Sequence, residues 1–253
     1  MTPRVSKTTS PWFTVPSNER AKIRLFCFPY AGGSSLIFRT WPNVLGPSLA
    51  VCPAHLPGRD RRLIEKPYTS AQSLVEAAAE AIIPHLDLPF AFFGHSMGGL
   101  ISFELARHLR RLHLPSPKHL FLSGRSAPHP GIRDKVTYNL PVNEFVEELR
   151  RLNGTPREVL ENHELMELMI PLLRADFEIC QTYSYTQEPP LDCPITAFGG
   201  LDDSESTEQM IAAWREQTTS SFTLCMMPGD HFFMHLAQEQ ILDVISQQLK
   251  NHR

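Results

Sequence analysis

A serine, an acid and a histidine placed in suitable loops are enough for nucleophilic hydrolysis of an acyl bond, and this chain offers candidates for all three. Ser96 stands in the stretch Gly-His-Ser-Met-Gly at 94–98, which fits the pattern G-x-S-x-G. A serine hydroxyl is a weak nucleophile at neutral pH and needs an adjacent base, which needs a carboxylate to fix its tautomer. In enzymes with this pattern the chain order is serine, acid, histidine. We therefore searched for an acid and a histidine downstream of Ser96.

His231 is the best candidate for the base, because it lies in a glycine-containing loop directly after the last predicted strand. The ring of His95 is expected to point away from Ser96, which favours a role in packing or in the oxyanion loop. His235 follows His231 by four residues, a spacing seen in helical metal sites. The stretch His-Phe-Phe-Met-His lacks the glutamate of a zinc protease helix, so we predict no metal site.

Two adjacent aspartates, Asp202 and Asp203, are candidates for the acid. Both follow a predicted strand that lies between Ser96 and His231 in the chain, and spacing alone does not separate them. Three further aspartates are weaker candidates, because two fall in or beside a helical insertion and one adjoins the histidine: Asp176, Asp192 and Asp230.

The surroundings of Ser96 predict a sharp strand-to-helix turn. Residues 88–93 form an apolar run typical of a buried strand, and residues 100–112 have helical periodicity. Gly94 and Gly98 are small enough to allow a strained turn, in which the backbone N–H of Met97 points to the same side as the hydroxyl of Ser96. Another strand, 24–28, runs into Pro-Tyr-Ala-Gly-Gly-Ser-Ser at 29–35, and we assign the second oxyanion donor to the N–H of Ala31.

Strands and helices alternate along most of the chain, which predicts an α/β fold with a mostly parallel central sheet flanked by helices. Besides the two strands already named, strands are predicted at 49–54, 118–123, 194–198 and 222–227. Helices are predicted at 70–86 with Ser70 as N-cap, at 204–218, and from the loop of His231 to about residue 249.

Residues 126–190 break this alternation, since they carry helical segments and little strand signal. An insertion of this length is too long for an ordinary crossover, and we predict that it covers the site as a lid. Its helices are predicted at 142–152, 156–160 and 165–183. Four of its large apolar residues are expected to line the substrate channel: Phe145, Met169, Leu173 and Phe177. The alternative is that they only pack the insertion against the body.

Composition limits the other possibilities. A chain of 253 residues suits one domain, here 21–253, preceded by a polar, proline-containing lead-in at 1–20 that we expect to be flexible. A net charge of −3 without a long basic run argues against nucleic-acid binding. The three arginines at 59, 61 and 62 form a basic patch, interpreted as solvated charge or as a dock for an acidic partner. The five cysteines indicate free thiols in a reducing cytosol, and no stretch is apolar enough to span a membrane.

Several of these motifs in order resemble the type II thioesterases of polyketide and nonribosomal peptide synthesis. The similarity runs from about Leu25 to the last helix. Its pieces are Phe-Pro-Tyr-Ala-Gly-Gly at 28–33, Pro-Gly-Arg at 57–59, the serine motif extended to Gly99, Leu-Arg-Ala-Asp-Phe at 173–177, Gly-Gly-Leu-Asp-Asp at 199–203 and Gly-Asp-His-Phe at 229–232. G-x-S-x-G alone is unspecific, whereas the ordered set is specific.

The resemblance implies an α/β-hydrolase fold with a helical lid, and a catalytic triad of Ser96, Asp203 and His231. It selects Asp203 because the family's acid closes a Gly-Gly-x-x-Asp stretch. It implies that the substrate is an acyl group on the phosphopantetheine arm of an acyl or peptidyl carrier protein, and that the role is removal of aberrant or stalled units. No cofactor of the enzyme's own is implied. We expect a cytoplasmic monomer that binds its carrier transiently.

Two alternatives use the same fold. A general carboxylesterase or lipase would use the same triad but prefer oxygen esters. A catalytically silent binding protein would keep the fold without a reactive serine.

Overall fold

The computed structural model describes residues 11–129 and 135–252. Within these residues six strands form one sheet in the order β2-β1-β3-β4-β5-β6, and every neighbouring pair runs parallel. The strands are β1 (Ile23–Phe28), β2 (Leu49–Pro53), β3 (Phe90–His95), β4 (Leu120–Ser123), β5 (Ile195–Gly200) and β6 (Phe222–Met227). The predicted parallel sheet is therefore confirmed.

The sheet is buried on both faces, which explains why its central strands are continuous apolar runs without alternation. In β3, Phe90 and Phe92 pack on one face while Ala91 and Phe93 pack on the other, and all four are fully buried. The first face is covered by α2 (Ala71–Ile82) and α3 (Met97–Arg111), and the second by α1 (Trp41–Leu45) and α9 (Gln238–Gln248). The parallel sheet is therefore flanked by helices on both faces, as predicted.

Helices fill the long segment between β4 and β5, as predicted. They are α4 (Val142–Leu152), α5 (Arg157–Leu160) and α6 (His163–Thr182). Asn162 begins α6 as its N-cap, and its side-chain oxygen accepts a hydrogen bond from the N–H of Leu165 at 3.1 Å. The insertion has a small apolar core of its own, made by Phe145, Leu149, Met166 and Leu173. Residues 130–134 of the predicted lid lie outside the described residues.

The predicted helix at 204–218 is shorter in the structure. Residues 204–207 are not helical; α7 (Glu208–Ala212) follows them and continues as a 3₁₀ turn over Ala213–Gln217. The reason is local: Oδ1 of Asp203 accepts hydrogen bonds from the N–H groups of Glu205 and Ser206, which holds the chain in a turn. The predicted closing helix is likewise two pieces, α8 (Phe233–Leu236) and α9, with Ala237 between them.

The expected flexible lead-in at 1–20 is wrong for its second half. Trp12 and Phe13 are buried, and Phe13 forms a bridge with Ala54 beside β2. The ring of Phe13 packs edge-on against Phe26 and Phe28 of β1. Burial of two large aromatic side chains anchors this segment to the sheet despite its polar neighbours. Residues 1–10 lie outside the described residues.

None of the helices in residues 11–129 and 135–252 combines the length and apolar character that crossing a bilayer requires.

Candidate active site

Ser96 occupies the turn between β3 and α3, with φ 53° and ψ −112°, a conformation that is strained for a residue with a side chain. The turn is tight because glycine stands on both sides. A Cβ at Gly94 would lie 1.9 Å from the backbone oxygen of Gly98, and a Cβ at Gly98 would lie 2.1 Å from that of Phe28. The structure therefore contains the predicted strand–turn–helix around Ser96.

His231 lies in the loop after β6 and connects the predicted nucleophile to one of the candidate acids. Its Nε2 lies 3.0 Å from Oγ of Ser96, and its Nδ1 lies 2.8 Å from Oδ2 of Asp203. These distances are hydrogen-bond lengths. The structure thus brings together Ser96, His231 and Asp203, which follow three different strands, at the carboxyl edge of the sheet.

The two candidate acids have different surroundings. Asp203 is buried, and its Oδ1 accepts the backbone hydrogen bonds described above while its Oδ2 faces His231. Asp202 is exposed. A carboxylate held by two N–H donors on one oxygen presents the other in a fixed direction, which suits Asp203 for orienting an imidazole.

The three weaker acid candidates do not contact His231 through their carboxylates. Asp230 accepts hydrogen bonds from the N–H of Phe232 and from the side-chain amide of Asn153. Asp176 of α6 forms a buried ion pair with Arg59, with two N–O distances of 2.7 Å. No contact in the described residues joins Asp192 to the site.

Both interpretations of the basic patch were wrong for two of its three arginines. Arg59 is only 5% exposed and Arg62 only 6%. Arg62 donates to Glu65 and to the carbonyl oxygen of His55, and its guanidinium lies over the ring of Trp12. Arg61 alone is exposed, and it donates to the carbonyl oxygen of Pro11. Sequence reasoning missed this burial because Asp176 of α6 and the ring of Trp12, which cover Arg59 and Arg62, lie far from them in the chain.

The two predicted oxyanion donors lie on segments that pack together. Met97 is the first residue of α3, and Ala31 lines the same cavity as Ser96. Gly98 packs against the backbone of Phe28 and Pro29, which precede Ala31 by three and two residues. In residues 11–129 and 135–252 no acceptor receives the N–H of Ala31 or of Met97. Both donors are available to a ligand, one of them at the positive end of a helix.

His95 is fully buried and contacts neighbouring residues, in agreement with its predicted packing role. Its Nε2 lies 2.9 Å from the carbonyl oxygen of His231 and its Nδ1 lies 2.8 Å from Oγ of Ser123. Complete burial lowers the pKa of His95 well below its ordinary value of 6.5. His235 instead contacts the hydroxyl of Tyr30 at 3.0 Å.

A cavity of about 460 Å³ extends from Ser96 and His231 beneath the insertion. Leu173 and Phe177 of α6 line it, as predicted. Phe145 and Met169 do not line it; they pack in or against the apolar core of the insertion, which corrects their predicted place in the channel. Helical periodicity could not tell these faces apart, because both are apolar. Residues that the sequence did not single out as channel residues also line it: Tyr183, Tyr185, Met210 and Ala213.

Among the residues that the structure describes, no group of three or more His, Cys, Asp or Glu side chains is arranged to hold a metal ion.

Comparison with known proteins agrees with this geometry. A family model described as thioesterase domain matches residues 23–249. Gramicidin S biosynthesis protein GrsT of Aneurinibacillus migulanus is 47% identical over 240 residues, covering 94% of each chain. The solved structure of RedJ, a thioesterase from the prodiginine biosynthetic pathway in Streptomyces coelicolor, superposes with a TM-score of 0.86 at 41% identity, covering 90% of this chain and 91% of that one.

One relative has a name from a different reaction class. Linear gramicidin dehydrogenase LgrE of Brevibacillus parabrevis is 46% identical over 247 residues, which span 96% of this chain and 94% of the relative.

Proposed function

Because the chain belongs to the thioesterase-domain family, we propose that Ser96, His231 and Asp203 hydrolyse acyl thioesters carried on the phosphopantetheine arm of acyl or peptidyl carrier proteins. The observation that carries this proposal is the hydrogen-bond chain from Oγ of Ser96 through His231 to Asp203, at 3.0 and 2.8 Å. It lies at one end of a cavity that the helical insertion covers.

The proposed reaction proceeds in two halves. Oγ of Ser96 attacks the thioester carbonyl carbon while Nε2 of His231 takes its proton, and the oxyanion accepts hydrogen bonds from the N–H groups of Ala31 and Met97. The tetrahedral species collapses, the C–S bond breaks, and the leaving thiolate takes the proton from His231. Water then gives a proton to His231 and attacks the acyl-serine, which releases the acid and returns the proton to Ser96.

Asp203 stabilises the imidazolium that forms twice in this cycle, and it keeps Nδ1 of His231 protonated in the resting state. The cycle needs no resident cofactor, because the phosphopantetheine belongs to the substrate. In this proposal the acyl chain occupies the cavity that Leu173, Phe177 and Tyr183 help to line.

The names of the relatives support a role beside a synthase: one acts in gramicidin S biosynthesis and another in prodiginine biosynthesis. We propose that this chain removes aberrant or stalled acyl units from carrier proteins as a cytoplasmic monomer, through a transient contact with the carrier. The preferred acyl chain is left open by this proposal.

The experiment that tests the substrate class compares one acyl chain in three forms. Hexanoyl groups are presented on a carrier protein, on N-acetylcysteamine and as the ethyl ester, and release of hexanoate is measured for each. We expect kcat/KM to be highest for the carrier and lowest for the ethyl ester. An ethyl ester hydrolysed faster than both thioesters would instead identify a carboxylesterase, and no reaction of Ser96 with a fluorophosphonate would identify a silent protein.

The name of the Brevibacillus relative raises hydride transfer as a competing reaction. Rossmann folds that bind a dinucleotide have the motif G-x-G-x-x-G after their first strand. The loop after β1 of this chain reads Pro-Tyr-Ala-Gly-Gly-Ser-Ser and lacks that motif. We therefore expect no consumption of NADH or NADPH with the same acyl carrier, and consumption that matches acyl turnover would overturn the hydrolytic proposal.

A further inference from the structure

The loop that supplies the Ala31 donor is a tight turn. The N–H of Gly33 donates to the carbonyl oxygen of Tyr30 at 2.9 Å, which closes a four-residue turn. Gly32 has φ +75° and Ala31 does not have positive φ, so the turn is type II. In such a turn the central peptide, which joins Ala31 to Gly32, points its N–H away from the closing hydrogen bond. Rotation of that peptide by half a turn would give type I, which glycine also allows, so an external partner can stabilise one of the two orientations.

That partner is Asp176 of α6. Its Oδ2 accepts the N–H of Gly32 at 2.7 Å. If the peptide rotated, the carbonyl oxygen of Ala31 would face a carboxylate and be repelled. The same helix packs on the loop through Leu173, whose side chain lies 2.6 Å from where a Cβ of Gly32 would be. The insertion therefore contacts the oxyanion loop with one carboxylate and one apolar side chain.

Arg59 fixes the carboxylate and the other side of the same turn. Its two terminal nitrogens each lie 2.7 Å from an oxygen of Asp176, and one of them also donates to the carbonyl oxygen of Gly33 at 3.1 Å. Both side chains are buried, at 6% and 2% exposure. The next residue, Asp60, accepts hydrogen bonds from the N–H and the hydroxyl of Ser35. Arg59 and Asp60 thus join the loop after β2 to the loop after β1 by hydrogen bonds at two residues, Gly33 and Ser35.

The ion pair also solves an electrostatic problem. A lone buried carboxylate beside the oxyanion loop would repel the negative charge that develops on the substrate oxygen. The bidentate guanidinium neutralises Asp176, so that the carboxylate can orient the turn without opposing the reaction. We propose that Arg59 and Asp176 are positioning residues for the oxyanion hole, and that through Asp176 the helical insertion holds the hole in its working conformation. This rests on the proposed catalysis at Ser96, though not on the carrier protein.

The test uses replacement of the whole pair. Removing one partner leaves a buried unpaired charge, whereas replacing both with apolar residues of similar size often preserves stability. We expect R59M/D176L to melt within about 5 °C of the wild type and each single variant to melt about 10 °C lower. For hexanoyl-N-acetylcysteamine, kcat of the double variant should fall about 10- to 100-fold with KM within about threefold, because the pair acts on the transition state and not on substrate binding.

A matched control removes a different ion pair. Arg24 and Asp87 pair at the amino edge of the sheet, away from Ser96, and R24M/D87L should keep kcat. A folded R59M/D176L protein with the kcat of the wild type would overturn the proposal.

Two further readouts keep the proposal testable if the double variant does not fold or if the wild type hydrolyses no thioester. Hydrogen exchange of the Gly32 amide, followed by NMR in the wild type, should be slowed by its bond to Asp176, and rapid exchange would overturn the proposal. The rate at which a fluorophosphonate modifies Ser96 also depends on the oxyanion hole and needs no thioester, and it should fall about tenfold or more in R59M/D176L. A wild type that reacts with the probe but with no thioester would count against the proposed function alone.

Discussion

Nε2 of His95 lies 2.9 Å from the carbonyl oxygen of His231, so the residue before the nucleophile holds the backbone of the catalytic base. A carbonyl only accepts hydrogen bonds, which places the proton of His95 on Nε2 and leaves Nδ1 to accept from the hydroxyl of Ser123. Burial lowers the pKa of His95 well below 6.5, and the ring stays neutral at neutral pH. A neutral, buried donor adds no charge that would compete with the imidazolium of His231.

This contact predicts the effect of His95→Ala. Loss of the donor frees the loop that carries His231, and we expect kcat to fall about 10- to 100-fold, since small misplacements of catalytic groups have effects of this size. His95→Gln, whose amide can donate, should recover part of the loss. Steady-state kinetics on variants checked by thermal melting provides the measurement. A folded His95→Ala enzyme with unchanged kcat would show that the loop needs no such support.

The acid of the triad is tested by a matched pair of neighbours. Asp203→Asn leaves the shape of the site but disfavours the imidazole tautomer that accepts the proton of Ser96, and we expect kcat to fall about 10⁴-fold. Asp202→Asn changes an exposed side chain and should alter kcat less than about twofold. The reverse order of the two effects would assign the acid to Asp202.

The turn at Ser96 is tested by two adjacent glycines. A Cβ at Gly98 meets backbone oxygens of Phe28 and Pro29 at 2.1 and 2.9 Å, and neither can move aside. Gly98→Ala should therefore cost about 3 kcal/mol or more of stability and abolish activity. A Cβ at Gly99 would lie 3.1 Å from Cβ of Arg125 and 3.4 Å from the backbone oxygen of Gly94, much less crowded than at Gly98, so Gly99→Ala should stay within about 1 kcal/mol of the wild type. Denaturant unfolding of both variants measures the difference, and similar losses would contradict this explanation.

Acid sensitivity should depend on His119, which is buried against Thr196 and stacked on Phe121. Burial lowers the pKa of its imidazole from 6.5 to about 4. Between these pH values the unfolded chain binds a proton that the native ring does not, so stability falls as the pH falls from 6.5 to 4. The group accounts for up to about 3 kcal/mol of this loss.

The variant His119→Gln should lose less stability across that pH range than the wild type. His163→Gln, at an exposed position on the insertion, is the control and should follow the wild-type curve. Urea unfolding at pH 7, 5.5 and 4.5 provides the comparison. Parallel curves for His119→Gln and the wild type would assign the acid sensitivity to other groups.

Most of the fold could be predicted because each central strand is an apolar run bounded by glycine, proline or polar residues. The place of Ser96 followed from two glycines whose absent side chains make room for the turn. The residues that sequence reasoning missed or misplaced have a common cause: their environment is created by elements distant in the chain. From the sequence Arg59 is expected to be an exposed cation, because its partner Asp176 lies 117 residues away, on α6.

The insertion shows the same limit. Phe145 and Phe177 are equally apolar in sequence, and their rings pack against each other at 5.4 Å. Only Phe177 also lines the cavity, because Phe145 is buried in the apolar core that α4 and α6 form within the insertion. The burial of Trp12 and Phe13 was not predicted, because their neighbours are polar residues and prolines. Two aromatic side chains are nevertheless enough to anchor a short segment.

In the proposed reaction Ser96 takes the acyl group from a carrier-bound thioester. Rapid acid quenching of the wild-type enzyme during turnover of hexanoyl carrier protein, followed by peptide mass spectrometry, tests it directly. We expect a hexanoyl group on the peptide that contains Ser96, and neither adduct nor hexanoate release with Ser96→Ala. An acyl group on another residue, or release by Ser96→Ala at the wild-type rate, would contradict it.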